Sequence, residues 1–380
     1  MTGMRSTTAP RALMLVSAAA DARLRTDVAE RLRPRPEYLV LEREHGVELL
    51  DWSRLPGSPH GRSAWSSAVH AAVAMRVIDR HDVVLSDGEH VGIPLALAMR
   101  ALARKRPHLV IGHHLTTRAK ARIFRRLKAH EAMTRIVVHS RLQAQLAERE
   151  LGVPAAKLVY EPYYADTEFW SPMDTPEERL VVTAGREHRD YALLADACGA
   201  VDARVFVAAG SVHSPAATTR EPALWPANFE RGFADYRTLR DLYSRAGVVV
   251  VPLLETDFQA GVTTVLEAMS MGKAVVVTAT KGQSHVVRDG VTGVCVPPGD
   301  ARELGDAVRF LLDSRAERRR LGEAARESVV ASFSVEGYAN RLAEHMAEMV
   351  SPVRVVARPV AVGSDGVHER FGGDPRPDGP

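Results

Sequence analysis

The chain has 380 residues, more than one hydrophobic core ordinarily supports, so two domains of usual size are expected. A hydrophobic fraction of 46% and a charged fraction of 26% are ordinary globular values, and a formal charge of +3 over this length does not call for a nucleic-acid partner. The two cysteines, Cys198 and Cys295, stand apart at no metal or redox spacing and read as reduced core residues of a cytoplasmic protein.

Arg5 and Arg11 precede the apolar run Ala12 to Ala20, which imitates a short signal peptide. We read its first part, ALMLVS, as an opening strand, because the runs that follow need a first partner. No apolar run reaches the roughly 18 residues a membrane-spanning helix requires. Further strands are expected at DVVLS from Asp82, HLVIG from His108 and RIVVHS from Arg135, with Ala- and Arg-rich helices between them. Tyr160 to Glu178, with three prolines and several acidic residues, reads as an interdomain linker. The pattern then restarts with RLVVTAG, RVFVAAG, GVVVVP, AVVVT and GVCV, and helices follow over 301–310 and 316–332. The expected organisation is a first Rossmann-like domain over 1–172, a second over 173–335 and a last helix over 336–350 that can pack back on the first domain. A Pro-, Gly-, Asp- and Arg-rich tail over 351–380 is expected to be disordered.

One stretch, DFQAGVTTVLEAMSMGKAVVVT from Asp257, reads as a loop, a short helix with Val262, Val265, Leu266 and Met269 on its apolar face, a stop at Gly272 and a strand. A helix start presents unpaired N–H groups and partial positive charge, and a glycine at Gly261 lets an anion approach the backbone. The same feature is also read as packing between a helix and a sheet.

With its flanks, VVVVPLLETDFQAGVTTVLEAMSMGKAVVVTATKGQSHVVRDGVTGVCVPPGD, this stretch resembles the nucleotide-binding half of retaining GT-B glycosyltransferases, in particular glycosyltransferase family 4. ERELGVPAAKLVYEPYYADTEFWSP, TAGREHRDYALLADA and RGFADYRTLRDLYSRAGVVVVP resemble further family segments, so the likeness covers roughly 135–345. It implies an α/β fold of GT-B type, two doubly wound domains facing a cleft. It also implies a nucleoside diphosphate sugar, UDP-sugar in the first instance, as donor substrate, with no metal and no other cofactor. Glu267 would accept both ribose hydroxyls. Backbone N–H groups of Ala260, Gly261 and Val262, with Thr263 beside them, would meet the sugar and diphosphate, and Arg186 and Arg189 would clamp the diphosphate. Gln259 stands where the family has the first of two glutamates, a neutral amide facing the donor sugar.

In the first half, IGHHLTTRAK puts His113 and His114 at a strand end facing the cleft, and His114 matches the family position that touches donor sugar and acceptor. Asp87 and Glu89 end another strand, where they could bind an acceptor, act as a base or, for Asp87, cap the following helix. RAKARIFRRLK, 118–128, carries six basic residues and reads as a solvated helix face, or as a patch for an anionic acceptor or a membrane surface. The reading is a retaining glycosyltransferase with an unidentified small-molecule or lipid-linked acceptor. A UDP-sugar epimerase of the same fold, or a binding module without turnover, stay open beside it.

Overall fold

Val-rich runs four or five residues long, apolar on both faces, are what a parallel sheet covered by helices on each side requires. In the computed structural model, which describes residues 9–57, 63–208, 218–283 and 286–351, these runs form two such sheets. The first half runs β1 (Ala12–Leu15), α1 (Ala22–Ala29), α2 (Glu37–His45), β2 (Glu48–Leu50), α3 (Ala64–Val77), β3 (Val83–Ser86), α4 (Glu89–Ala101), β4 (His108–Gly112), α5 (Arg118–Leu127), β5 (Arg135–Val138), α6 (Arg141–Leu151) and β6 (Leu158–Tyr160). The second half runs β7 (Leu180–Ala184), α7 (Tyr191–Cys198), β8 (Arg204–Ala208), β9 (Phe229–Gly232), α8 (Tyr236–Arg245), β10 (Val248–Val251), α9 (Val262–Ser270), β11 (Ala274–Thr278), β12 (Val294–Val296), α10 (Ala301–Asp313), α11 (Arg315–Ser332) and α12 (Val335–Val350).

The sheet orders are β2-β1-β3-β4-β5-β6 and β12-β11-β10-β7-β8-β9, and the strand pairings within them are parallel. Each order reverses once, between β1 and β3 in the first sheet and between β7 and β10 in the second. A crevice opens at the strand C-termini at such a reversal. The loops that follow β7 and β10 therefore meet, and these carry Gly185 to Arg189 and Asp257 to Gly261.

Strands β2, β6 and β9 are absent from the sequence reading. Each is three or four residues long, and β9 shows the partial exposure of an edge strand, so no apolar run marks it. All of the expected tail except Ser351 lies outside the described residues.

Helix α12 packs on the first sheet, where Val335, Tyr338, Leu342 and Met346 share a core with Met14, Leu41, Leu85 and Val137. The two crossings between the halves run side by side. Ala165 N–H donates to Phe333 O at 2.8 Å, and Val335 N–H donates to Ala165 O at 2.9 Å. Arg35 pairs with Asp166 and Glu336, joining the first domain to both crossings.

Helix α11 holds α9 from outside the site. A methyl group added at Gly322 would overlap the carbonyl of Gly272, the residue that turns the chain from α9 into β11. Backbone is in contact with backbone there, so no side chain can yield. Gly322→Ala is therefore expected to destabilise the fold by about 2 kcal/mol, read as a lowered urea midpoint.

Candidate active site

The site is built where the loops after β7 and β10 face each other. Arg189 is only 3% exposed. Its Nε donates to Ala184 O at 2.9 Å, Nη1 to Glu187 O at 2.8 Å and Nη2 to Thr264 Oγ1 at 3.2 Å. None of these acceptors is a carboxylate, and Arg189 makes no ion pair among the described residues. Burial lowers its pKa, the direction expected of a cation withdrawn from water without a counter-ion.

Two glycines make room for this guanidinium. Gly185 has φ +100° and Gly261 has φ +76°, and a side chain at either would press on Arg189. Gly261 caps α9, so the buried cation lies beside the partially positive end of a helix. Two positive groups converge where, among the described residues, no carboxylate pairs with the cation, an arrangement chemically suited to an anion with several oxygens.

Glu267 lies on α9 five residues from its first residue, about 7.5 Å along the axis. It is 7% exposed, and Tyr243 Oη approaches its Oε2 at 3.5 Å. Burial pushes its carboxyl up to about 8 against the opposing influence of Tyr243 and Arg189. Gln259 is 8% exposed and stands just before the Gly261 turn.

Some expectations need correction in detail. Ala260 N–H is engaged by Phe258 O at 2.8 Å in a tight turn, so it does not join Gly261 in a row of available donors. Val262 N–H reaches Gln259 O only at 3.4 Å, and Thr263 follows in the first turn of α9. Arg186 is exposed, unlike Arg189, so the two arginines differ in environment. Asp87 does not cap α4. Its Oδ2 accepts from Ser17 N and Ser17 Oγ, both at 2.6 Å, which ties together the loops after β1 and β3.

Across the cleft, Glu89 is 2% exposed. Burial alone would raise its pKa, but Lys120, His113 and the His114 N–H outweigh burial and hold it at about 2. It accepts from His114 N at 2.7 Å, and Lys120 Nζ lies 3.3 Å away while donating to His114 O at 2.9 Å. Lys120 therefore turns inward from the basic stretch, whereas Arg118, Arg122, Arg125 and Arg126 are exposed. His113 meets Asp87 O through Nε2 at 2.9 Å. His114 stacks on Phe258 of the second domain at 4.2 Å, and burial lowers its pKa. Phe258, Asp257, Thr116 and Gln143 escaped the sequence reading, since a contact between domains leaves no local pattern.

Residues 229–328 match the family described as glycosyl transferases group 1. Alpha-D-kanosaminyltransferase of Streptomyces kanamyceticus is 30% identical over 112 residues, 30% of this chain and 28% of that protein. D-inositol 3-phosphate glycosyltransferase of Kribbella flavida is 36% identical over 89 residues, 23% of this chain and 20% of that protein. The matched segments thus span less than a third of these curated relatives. Sucrose-phosphate synthase from Thermosynechococcus elongatus superposes with a TM-score of 0.67 at 18% identity, covering 89% of this chain and 99% of that one. Anabaena HepE in complex with UDP-glucose gives 0.64 at 16% identity, covering 89% and 100%.

The architecture is the GT-B fold, two Rossmann-like domains about a central cleft. The segment that matches the glycosyl transferases group 1 family lies in the second of these domains and runs from β9 into α11.

Glu267 gives a stability prediction. Its folded pKa of about 8 exceeds the ordinary 4.5, so the folded state holds the extra proton. Its contribution is fully present below about 4.5 and is lost as pH rises through about 8. Gln imitates the protonated form at every pH. The melting temperature of Glu267→Gln relative to the natural protein should therefore rise between pH 5 and pH 9, and a constant difference would place the carboxylate in water.

Proposed function

We propose that the protein transfers a sugar from a nucleoside diphosphate sugar, a UDP-sugar in the first instance, to an acceptor held by the first domain, with retention of anomeric configuration. The observation that carries this reading is the buried Arg189, without a carboxylate partner among the described residues, beside the start of α9, with Glu267 further along that helix. Diphosphate oxygens satisfy the guanidinium and the Gly261 N–H, and the ribose hydroxyls donate to Glu267. Charge grows on the diphosphate as the glycosidic bond breaks, so these donors act most strongly in the transition state. The acceptor oxygen forms its bond to the anomeric carbon on the face that the phosphate leaves. Its proton passes to the departing phosphate oxygen. Gln259 is neutral, so it positions the donor sugar by hydrogen bonds rather than by charge.

The epimerase alternative needs an acid and a base in the cleft. Glu89 stays ionised near neutral pH, its carboxyl held at about 2, so it is not poised to donate a proton, and Asp87 Oδ2 is engaged by Ser17. The reading includes no metal; among the described residues no group of three or more His, Cys, Asp and Glu side chains could hold a metal ion. Among those residues no helix is long and apolar enough to cross a membrane. The exposed arginines of α5, with Leu127 half exposed, support peripheral contact with an anionic lipid surface as part of this reading. Cytoplasmic residence also belongs to it, and the free thiols of Cys198 and Cys295 fit a reducing compartment.

Incubation with a panel of nucleotide sugars and candidate acceptors, with mass spectrometry of the products, tests the activity. Transfer that depends on an acceptor supports it, and isomerised donor without an acceptor overturns it. Binding tests the site. If Glu267 ionises to receive the ribose, UDP-glucose binding at pH 7 should release close to one proton per site, because the free carboxyl titrates at about 8. Calorimetry in buffers of different ionisation enthalpy reads this release, and Glu267→Gln should abolish it.

A further inference from the structure

Asp257 and Phe258 immediately precede Gln259, yet they face the other domain. Asp257 Oδ2 accepts from Thr116 Oγ1 at 2.8 Å, and its backbone oxygen accepts from Gln143 Nε2 at 2.9 Å. His114 Nε2 lies 3.4 Å from Asp257 Oδ1, at ion-pair distance. Gln143 is itself fixed, since its Oε1 accepts from Leu115 N at 3.2 Å. Among the described residues, the hydrogen-bond and ion-pair partners of the Asp257 side chain belong to the first domain.

That arrangement is unsuited to holding the second domain together, but it suits joining the two. The next residue continues the connection: Phe258 stacks on the His114 ring at 4.2 Å and 17°. Phe258 O then accepts from Ala260 N and Thr256 Oγ1, both at 2.8 Å, and so shapes the turn that sets Gln259 and Gly261. A continuous set of contacts thus runs from the first-domain histidine to the anion-binding turn.

We propose that Asp257 is a positioning residue, which fixes His114 and the Gln259–Gly261 turn in their working relation. The inference rests on the transferase reading and adds a residue to it. The charged or titratable groups facing His114 are Asp257 and Glu187 from the second domain, and Lys120 and Glu89 from the first. Asp257 is the one among them that the Thr116 and Gln143 contacts carry into place. Loss of its side chain should slow transfer while leaving nucleotide affinity almost unchanged, because Arg189 and Glu267 make no hydrogen bond to it and the bond from Ala260 N to Phe258 O that closes the turn is backbone.

The test uses the full chain with Asp257→Asn, Asp257→Ala and Thr116→Val. Release of UDP from UDP-glucose into water gives kcat, and calorimetry gives the affinity for UDP. Asp257→Ala should lower kcat at least about ten-fold with UDP affinity within about two-fold, and Thr116→Val should act in the same direction more weakly. In parallel, the His114 ring is titrated by NMR, its signal assigned by its loss in His114→Gln. Asp257→Asn keeps the shape, removes the charge and should lower the His114 midpoint by about half a pH unit or more. An unchanged midpoint, or an affinity that falls as far as kcat, overturns the proposal. A natural protein that consumes no nucleotide sugar at all would instead defeat the transferase reading, and the titration would still decide whether Asp257 meets His114.

Discussion

A guanidinium buried without a carboxylate partner among the described residues is the constraint around which the second domain is arranged. Withdrawing Arg189 from water is costly, and its three protein acceptors, two backbone carbonyls and one hydroxyl, leave its charge uncancelled. Placing it against the start of α9 adds partial charge of the same sign. The fold sustains this because the reversal of strand order between β7 and β10 brings two loops together, and because Gly185 and Gly261 leave space for the side chain between them. The charge of Arg189 is thus left without a carboxylate partner among the described residues.

Glu267 is the counterpart on the same helix. A carboxyl driven to about 8 by burial carries a proton at neutral pH, so it does not neutralise Arg189 in advance. Ligand hydroxyls can then compete for it. The first domain follows the opposite rule: Glu89 is fully charged, paired with Lys120 and hydrogen-bonded to His114 N, which makes a rigid wall rather than a responsive one. The buried carboxyls on the two sides of the cleft therefore differ in charge at neutral pH. The paired crossings at Ala165 and Val335, with Arg35 between Asp166 and Glu336, hold the two sides in register.

Much of this was legible in the sequence, for physical reasons. Buried parallel strands such as Val248–Val251 must be apolar on both faces, so they appear as uninterrupted runs. The Gly261 turn and Glu267 stand close together on one helix, where spacing along the chain is spacing in space. What was hidden depends on distance in sequence. The edge strand β9 lacks an apolar run, Asp87 finds Ser17 seventy residues away instead of its own helix, and Ala260 spends its N–H inside a turn whose geometry no composition reveals. The burial of Arg189 beside the exposure of Arg186, three residues apart in one loop, is likewise a tertiary fact.

Whether Arg189 and the start of α9 hold a diphosphate, as proposed, is read by comparing uridine with UDP in isothermal calorimetry. The two ligands share base and ribose and differ only in the charged group. UDP should bind at least about a hundred-fold more tightly than uridine, since charge-assisted hydrogen bonds in a buried site contribute a few kcal/mol. In Arg189→Ala most of that difference should disappear while the weak affinity for uridine stays. Equal affinities for the two ligands in the natural protein, or a difference untouched by the substitution, would mean that Arg189 holds no diphosphate.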